Sequence, residues 1–227
     1  MKVENSETWL LVGASKGLGF EFFKQIQNLS NIKPTLIFAN RNIENLKKEV
    51  GPNDQAFSYD MSKPELVEKL IETLNLKKIT RFFYFAGGGP YGNFIEKSWK
   101  DHDWALNVTF VSVAKLLHYF LQQDSFRQAI LIGSDIAENS PDPGASSYSA
   151  AKHALRGLVC SLQKEIGITK DLRLFSPGYM NTGLLPKSAW PRTQAGLVTE
   201  PVVVAEQLFV WMQDSNFKAQ NWSKRDL

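Results

Sequence analysis

Cysteine is almost missing from this sequence. Cys160 stands alone among 227 residues, so no internal disulfide is possible and a reducing cytoplasm is the compartment that fits. Set in an apolar helical stretch, its thiol reads as an inert core group. Histidine is scarce too: His102, His118 and His153 have no partners at metal-ligand spacing. No metal is expected, and His153 reads as a solvent or core residue. No dense run of lysine or arginine forms a patch, and a net charge of +3 is too small to call for nucleic acid. No apolar run looks long enough to cross a bilayer, so no membrane is expected. The polar, acidic start from Met1 to Thr8 is unlike a secretory signal. Internal repeats, low-complexity tracts and linkers are also absent. What is left, 43% apolar and 22% charged, is a globular chain sized for one α/β domain over residues 1–227.

Glycine, by contrast, is concentrated where it has consequences. The stretch Leu10-Leu11-Val12-Gly13-Ala14-Ser15-Lys16-Gly17-Leu18-Gly19 is an apolar run followed by three glycines spaced G-x-x-x-G-x-G. After it come Phe20, Phe23, Ile26 and Leu29 at helical spacing. This pattern reads as a buried strand, a tight turn at Gly13, a close ligand approach at Gly17, and close helix packing at Gly19. Free N–H groups at the helix start, aligned with its dipole, would face a phosphate. The plainer alternative is a glycine turn that ends an ordinary βα unit.

Short apolar runs then alternate with helical patterns. Strands are expected at Trp9–Gly13, Thr35–Ala39, Gln55–Tyr59, Arg81–Ala86, Ala129–Gly133 and Leu172–Ser176. Helices are expected near Gly17–Leu29, Ile43–Val50, Lys63–Leu74, Ser98–Leu121, Ser149–Ile166 and Pro201–Asp214. Each crossover is long enough for a βαβ unit. The fold is therefore expected to be a doubly wound parallel α/β sheet, Rossmann-like in strand order 3-2-1-4-5-6, with helices on both faces. Ligands bind such sheets at the carboxyl ends of the strands, near the switch in strand order.

The residues at those ends are informative. The second strand ends Phe38-Ala39-Asn40-Arg41, where an acidic residue would favour NAD. Arg41 is there instead, and Lys16 lies in the glycine loop. Two cations near the adenosine ribose suit a 2′-phosphate, so NADPH is expected over NADH; the alternative is two solvated surface charges. Asp60 suits an adenine amine or the capping of the next helix through Ser62, and the two roles are compatible. Gly87-Gly88-Gly89 after the fourth strand is costly to order, and a close approach to a ligand explains it better than a plain turn. Tyr148 and Lys152 are four residues apart, hence on one helix face. An ammonium beside a phenol, together with the positive ring of an oxidised nicotinamide, would favour the phenolate, so this tyrosine is expected to have a lowered pKa and to exchange protons with a carbonyl or alcohol. Ser134, at a strand end, would hold the substrate oxygen. Asn107, a polar break in an amphipathic helix, would bind a water beside Lys152.

Taken in order, these pieces resemble the short-chain dehydrogenase/reductase family over nearly the whole chain: Gly13–Gly19, Asp60, Ala86-Gly87, Asn107, Ser134, Tyr148-x-x-x-Lys152, and Ser176 to Thr182. The resemblance implies a catalytic tetrad of Asn107, Ser134, Tyr148 and Lys152. Tyr148 would be the proton donor, and Ser134 would stabilise the carbonyl oxygen. Lys152 would lower the tyrosine pKa and hold the ribose, with Asn107 supporting a proton-relay water. It implies NADP(H) contacts at Gly13, Ser15, Lys16, Gly17, Leu18, Gly19, Asn40, Arg41, Asp60 and Met61. Further contacts are implied at Ala86, Gly87, Tyr148, Lys152, Pro177, Gly178, Met180 and Thr182. The function implied is reduction of an aldehyde or ketone to an alcohol, or the reverse; the alternative is a nucleotide-binding sensor or scaffold without turnover.

The chain also departs from the family pattern. Val12 stands where a threonine is usual, and Tyr84-Phe85 where two asparagines are usual. The expectation is that Val12 and Phe85 pack together and leave no orphaned polar group. The polar C-terminus, ending Lys224-Arg225-Asp226-Leu227, makes a seventh strand doubtful. A homodimer through Ser98–Leu121 and Ser149–Ile166 is possible. Substrate-facing residues are expected after Gly89 (Pro90, Tyr91, Phe94) and after Ser134 (Asp135, Ile136, the Pro141–Pro143 turn). A lid at 183–199, carrying Leu184, Leu185, Lys187, Trp190, Pro191 and Arg192, is expected to supply the rest and to move on binding. The substrate is expected to be a small, partly apolar carbonyl compound, although Trp190 and the leucines read equally well as lid packing.

Overall fold

The stretch Thr8–Val12 forms β1, and its consecutive side chains face opposite ways. Leu10 and Val12 enter one apolar cluster, Trp9 and Leu11 another. A parallel strand covered on both faces reads as such a continuous apolar run. The computed structural model describes residues 7–29, 33–139, 141–167 and 169–224; the expectations for residues 1–6 and 225–227 lie outside them. The elements after β1 are α1 (Gly17–Gln27), β2 (Thr35–Asn40), β3 (Gln55–Ser58), α2 (Pro64–Leu74) and β4 (Arg81–Tyr84). Next come α3 (Trp99–Leu106), a π-helical turn at Asn107–Val111, α4 (Ser112–Leu121), β5 (Gln128–Ile132) and the short α5 (Asp135–Glu138). The chain closes with α6 (Ser146–Ile166), β6 (Asp171–Ser176), α7 (Pro201–Gln213) and β7 (Asn221–Ser223).

The sheet runs β3-β2-β1-β4-β5-β6-β7, with every pair parallel. Residues of α2, α4 and α6 complete one core around Ile37, Phe82 and Leu131. Those of α1 and α7 complete the other around Phe38, Phe83 and Phe175. The chain moves outward from β1 to β3 and then returns to β4. Strand order therefore switches between β1 and β4, and a crevice opens at their carboxyl ends.

Three expectations need correcting. The doubtful seventh strand forms: Asn221, Trp222 and Ser223 pair with Leu174, Phe175 and Ser176. Trp222 stacks on Phe175 at 4.1 Å and 10°, while the Asn221 side chain accepts from Leu174 N and from Gln163. The strand was hidden because Trp222 is its one apolar residue. The helix expected at Ile43–Val50 shrinks to one 3-10 turn, Leu46–Lys48. Leu46 is the buried residue of that turn, and a single apolar contact cannot hold a longer helix. The continuous helical stretch Trp99–Leu121 is also long and apolar enough, by length and composition alone, to cross a membrane. It packs against α2 and α6.

Candidate active site

At the end of β1 the backbone turns into α1 through Gly13, whose φ of +81° suits glycine. A Cβ built there would lie 2.4 Å from Ala86 N, so the loop touches the end of β4. A Cβ at Gly19 would meet the Ala14 backbone at 2.8 Å and the Phe85 ring at 2.9 Å, which is the close packing the spacing predicted. The first turn of α1 contains no acidic residue, so its free N–H groups and dipole face the crevice without competition.

The crevice offers about 810 Å³ of solvent-accessible volume. Each residue expected to contact the nucleotide, from Gly13 through Thr182, lines it. Lys16 and Arg41 are exposed on its rim, and among the described residues neither makes an ion pair. Asp60 accepts from Ser62 N and Ser62 Oγ through Oδ1 (2.9 and 2.7 Å), a turn ahead of α2 whose cap position is Lys63. Asn40 is 2% exposed, and both its Nδ2 and Oδ1 are buried without a partner. Such an amide loses about 1–3 kcal/mol per unmatched group. A ligand rich in hydroxyl and phosphate groups at this strand end would supply partners, so the residues present fit a dinucleotide.

Ser134, Tyr148 and Lys152 come together at the crevice floor. Ser134 caps α5 by accepting from Ile136 N at 3.4 Å, which leaves its own proton free to donate. Lys152 Nζ donates to the Ile132 carbonyl at 2.6 Å and lies 5.5 Å from the centre of the Tyr148 ring. Burial pulls the Lys152 ammonium down to about 7. Burial also pushes the Tyr148 phenol up to about 12, with the Ser134 hydroxyl drawing it part of the way back. The lowered tyrosine pKa expected from the sequence is not found in the protein alone, where desolvation outweighs the Ser134 hydrogen bond.

Asn107 stands apart from this cluster. It opens the π turn but does not line the crevice, unlike its neighbours Trp104 and Val108. The turn itself is firmly held. Tyr84 Oη donates to the Val108 carbonyl (2.6 Å), and Thr109 Oγ1 both donates to Gly88 O (3.1 Å) and accepts from Gly88 N (3.0 Å). Ser112 Oγ donates to the Met61 carbonyl. The expected packing of the Val12 and Phe85 side chains does not form, although Phe85 N donates to the Val12 carbonyl at 2.8 Å. Phe85 packs on Phe22 of α1 (5.3 Å between centroids), on the face opposite Val12. Their side chains alternate across the sheet, and Val12 shares its cluster and its register with Tyr84.

A smaller cavity of about 110 Å³ adjoins the crevice. Ser134, Tyr148, Gly178, Met180, Thr182 and Leu184 line both. Pro90, Tyr91, Asp135, Ile136, Leu184 and Leu185 line the cavity as expected, but Phe94, Lys187, Trp190 and Arg192 do not. Phe94 stacks on His102 instead (4.2 Å). Sequence reasoning missed Tyr179, whose hydroxyl donates to both Asp142 oxygens at 2.6 Å. Its position inside the Pro177–Thr182 segment was the available signal. The segment 183–199 is bound up by Arg192, which donates to the carbonyls of Thr182, Leu185 and Pro186 and to Asn181 Oδ1. Among the described residues, no group of three histidine, cysteine, aspartate or glutamate side chains is arranged to hold a metal ion.

Comparison with known proteins follows the same outline. The family model described as short chain dehydrogenase matches residues 7–191. A human protein named hydroxysteroid 11-beta-dehydrogenase 1-like protein is 28% identical over 169 residues, covering 70% of this chain and 53% of its own. The chain thus spans about half the length of the curated relatives it matches. Among solved structures, 4-hydroxyisoleucine dehydrogenase complexed with NADH superposes with a TM-score of 0.80 at 18% identity, over 96% of both chains. A short chain dehydrogenase from Burkholderia cenocepacia in complex with NADP gives 0.80 at 18%, over 96% of this chain and 95% of that one. At such identities the likeness speaks for the fold.

Proposed function

This chain belongs to the short-chain dehydrogenase family, and from that premise we propose that it is an NADPH-dependent oxidoreductase that reduces an aldehyde or ketone to the alcohol, or runs the reverse. One observation carries the reading: Tyr148 and Ser134 form the wall common to the dinucleotide-sized crevice and the small cavity. A carbonyl group held there touches an acid and a hydrogen-bond donor on one side and the crevice on the other.

The residues have separable tasks. Gly13 to Gly19 and the start of α1 would hold the pyrophosphate, and Asn40, Asp60 and Met61 the adenosine. Lys16 and Arg41 would pair with a 2′-phosphate, which favours NADPH. Pro177 to Thr182, with Ala86 and Gly87, would hold the nicotinamide end, and the nicotinamide supplies the hydride. Ser134 donates to the carbonyl oxygen and polarises it. Tyr148, kept protonated at neutral pH by burial, has a proton to give to the forming alkoxide. Lys152 stands beside it, with an ammonium that burial brings into balance with the amine near neutrality. Asn107 acts from the π turn, one layer behind, by supporting a water that refills the Tyr148 proton.

A panel of aldehydes and ketones with NADPH and NADH tests this reading. Turnover that falls by about 10²–10⁴-fold in Tyr148→Phe supports it; NADPH binding with no turnover of any carbonyl compound leaves a nucleotide sensor. The free Cys160 fits the reducing cytoplasm. A homodimer through α3, α4 and α6 belongs to the same reading and is checked by light scattering.

A further inference from the structure

Among the described residues, the small cavity carries ionisable carboxylates but no basic side chain. Asp135, next to Ser134, and Asp142, in the loop before α6, both line it, and among the described residues no lysine, arginine or histidine does. Of the neighbouring cations, two are turned to other partners. Arg192 binds the lid's own carbonyls, Lys152 donates to Ile132 O on the crevice side, and Lys224 lies against Gly178 without lining the cavity. Asp142 accepts from the Tyr179 hydroxyl, and burial, with the two carboxylates, holds that phenol above its ordinary range. Asp135 is met by the Asn139 amide, which is neutral. The rest of the lining is largely apolar, with Ile136, Met180, Leu184, Leu185 and Pro186.

We propose that this cavity selects its carbonyl substrate by charge: it accepts apolar compounds that are neutral or bear an ammonium, and it rejects those bearing a carboxylate or phosphate. The proposal rests on the reductase reading above. An anion entering here loses hydration, meets no cation on the wall, and stands close to two like charges. Across several ångströms at an interfacial dielectric, such repulsion amounts to about tenfold or more in affinity.

Three ketones of one shape test it: 4-(aminomethyl)acetophenone, 4-(hydroxymethyl)acetophenone and (4-acetylphenyl)acetate. They carry +1, 0 and −1 charge at neutral pH, set off from the ketone by a methylene. Two readouts are taken: kcat/KM with NADPH, and calorimetric Kd without nucleotide, where neither the ketone nor the benzylic alcohol can react. The expected result is that the carboxylate compound is worse than the hydroxymethyl compound by about tenfold or more in both, with the ammonium compound equal to or better than the neutral one. The gap should narrow to about threefold in the Asp135→Asn/Asp142→Asn double variant, whose amides keep the hydrogen bond from Tyr179, and in the wild type at high salt. A carboxylate compound that binds as well as the neutral one overturns the proposal. If the charge order appears in Kd while none of the three is reduced, charge selection stands and the reductase reading falls. If all three are reduced with the carboxylate compound preferred, the reductase reading stands and charge selection falls.

Discussion

The hydroxyl of Tyr84, at the last position of β4, donates a 2.6 Å hydrogen bond to the carbonyl of Val108 in the π turn that Asn107 opens. A π turn shifts the backbone register and frees a carbonyl, and here a side chain from the sheet takes it up. Tyr84 is 2% exposed, with Val12 as its register partner on β1. Val12 and Tyr84 thus form an apolar pair with one polar end, and that end is satisfied.

Removing the hydroxyl should expose this dependence. In Tyr84→Phe the Val108 carbonyl is left buried without its donor, and unfolding in urea should show a loss of about 1–3 kcal/mol. Affinity for NADPH should stay within about threefold, because Tyr84 does not line the crevice. An unchanged midpoint would show that the π turn does not need this bond.

Lys152 should give the apoprotein a pH-dependent stability. Its folded pKa is about 7, against an ordinary 10.5. Between those values the unfolded chain holds a proton that the folded protein has released, so stability rises with pH. The slope is at most about 1.4 kcal/mol per pH unit, flattening below pH 7 and above 10.5. Lys152→Met removes this contribution. The check is the difference between wild-type and variant unfolding free energies from pH 7 to 10, which should change with pH; a constant difference would contradict the burial of this amine.

Nucleotide choice should lie on the rim. Lys16→Ala and Arg41→Ala remove cations that make no ion pair among the described residues, so neither should weaken the fold measurably. Each should reduce the ratio of NADPH to NADH affinity by about tenfold, the value of one charge-assisted contact to phosphate. Fluorescence titration with both nucleotides measures it, and an unaltered ratio in the double variant would sink the assignment.

Two glycines should respond in opposite senses to alanine. Gly13→Ala forces a side chain to φ +81° and to within 2.4 Å of Ala86 N, so it should destabilise by about 2 kcal/mol or more and abolish nucleotide binding. Gly157, inside α6, has nothing within 4 Å of a built Cβ. Gly157→Ala should stabilise by about 0.5–1 kcal/mol through helix propensity. Paired thermal melts decide both.

What could be read from the chain beforehand was local. The glycine loop, the strand ends and Tyr148-x-x-x-Lys152 each lie within one turn or one helix face, and those residues do share a crevice. What could not be read depended on distant partners. Trp222 becomes a strand residue only through Phe175, and Phe85 turns to α1 because strand alternation separates it from Val12. Asp142 and Tyr179 meet across 37 positions. Burial of Tyr148 is hidden for a related reason: the neighbouring lysine is visible in the sequence, whereas the depth of burial comes from the whole fold.

Arg192 gives the segment 183–199 a consequence of its own. Since the guanidinium ties Thr182, Leu185, Pro186 and Asn181 into one unit, that end of the segment behaves as a rigid lintel rather than a curtain. A guest finds a doorway already cut to size, so little affinity is lost to ordering the frame. Compounds will be sorted by whether they pass beneath it, and widening the opening will require replacing the arginine.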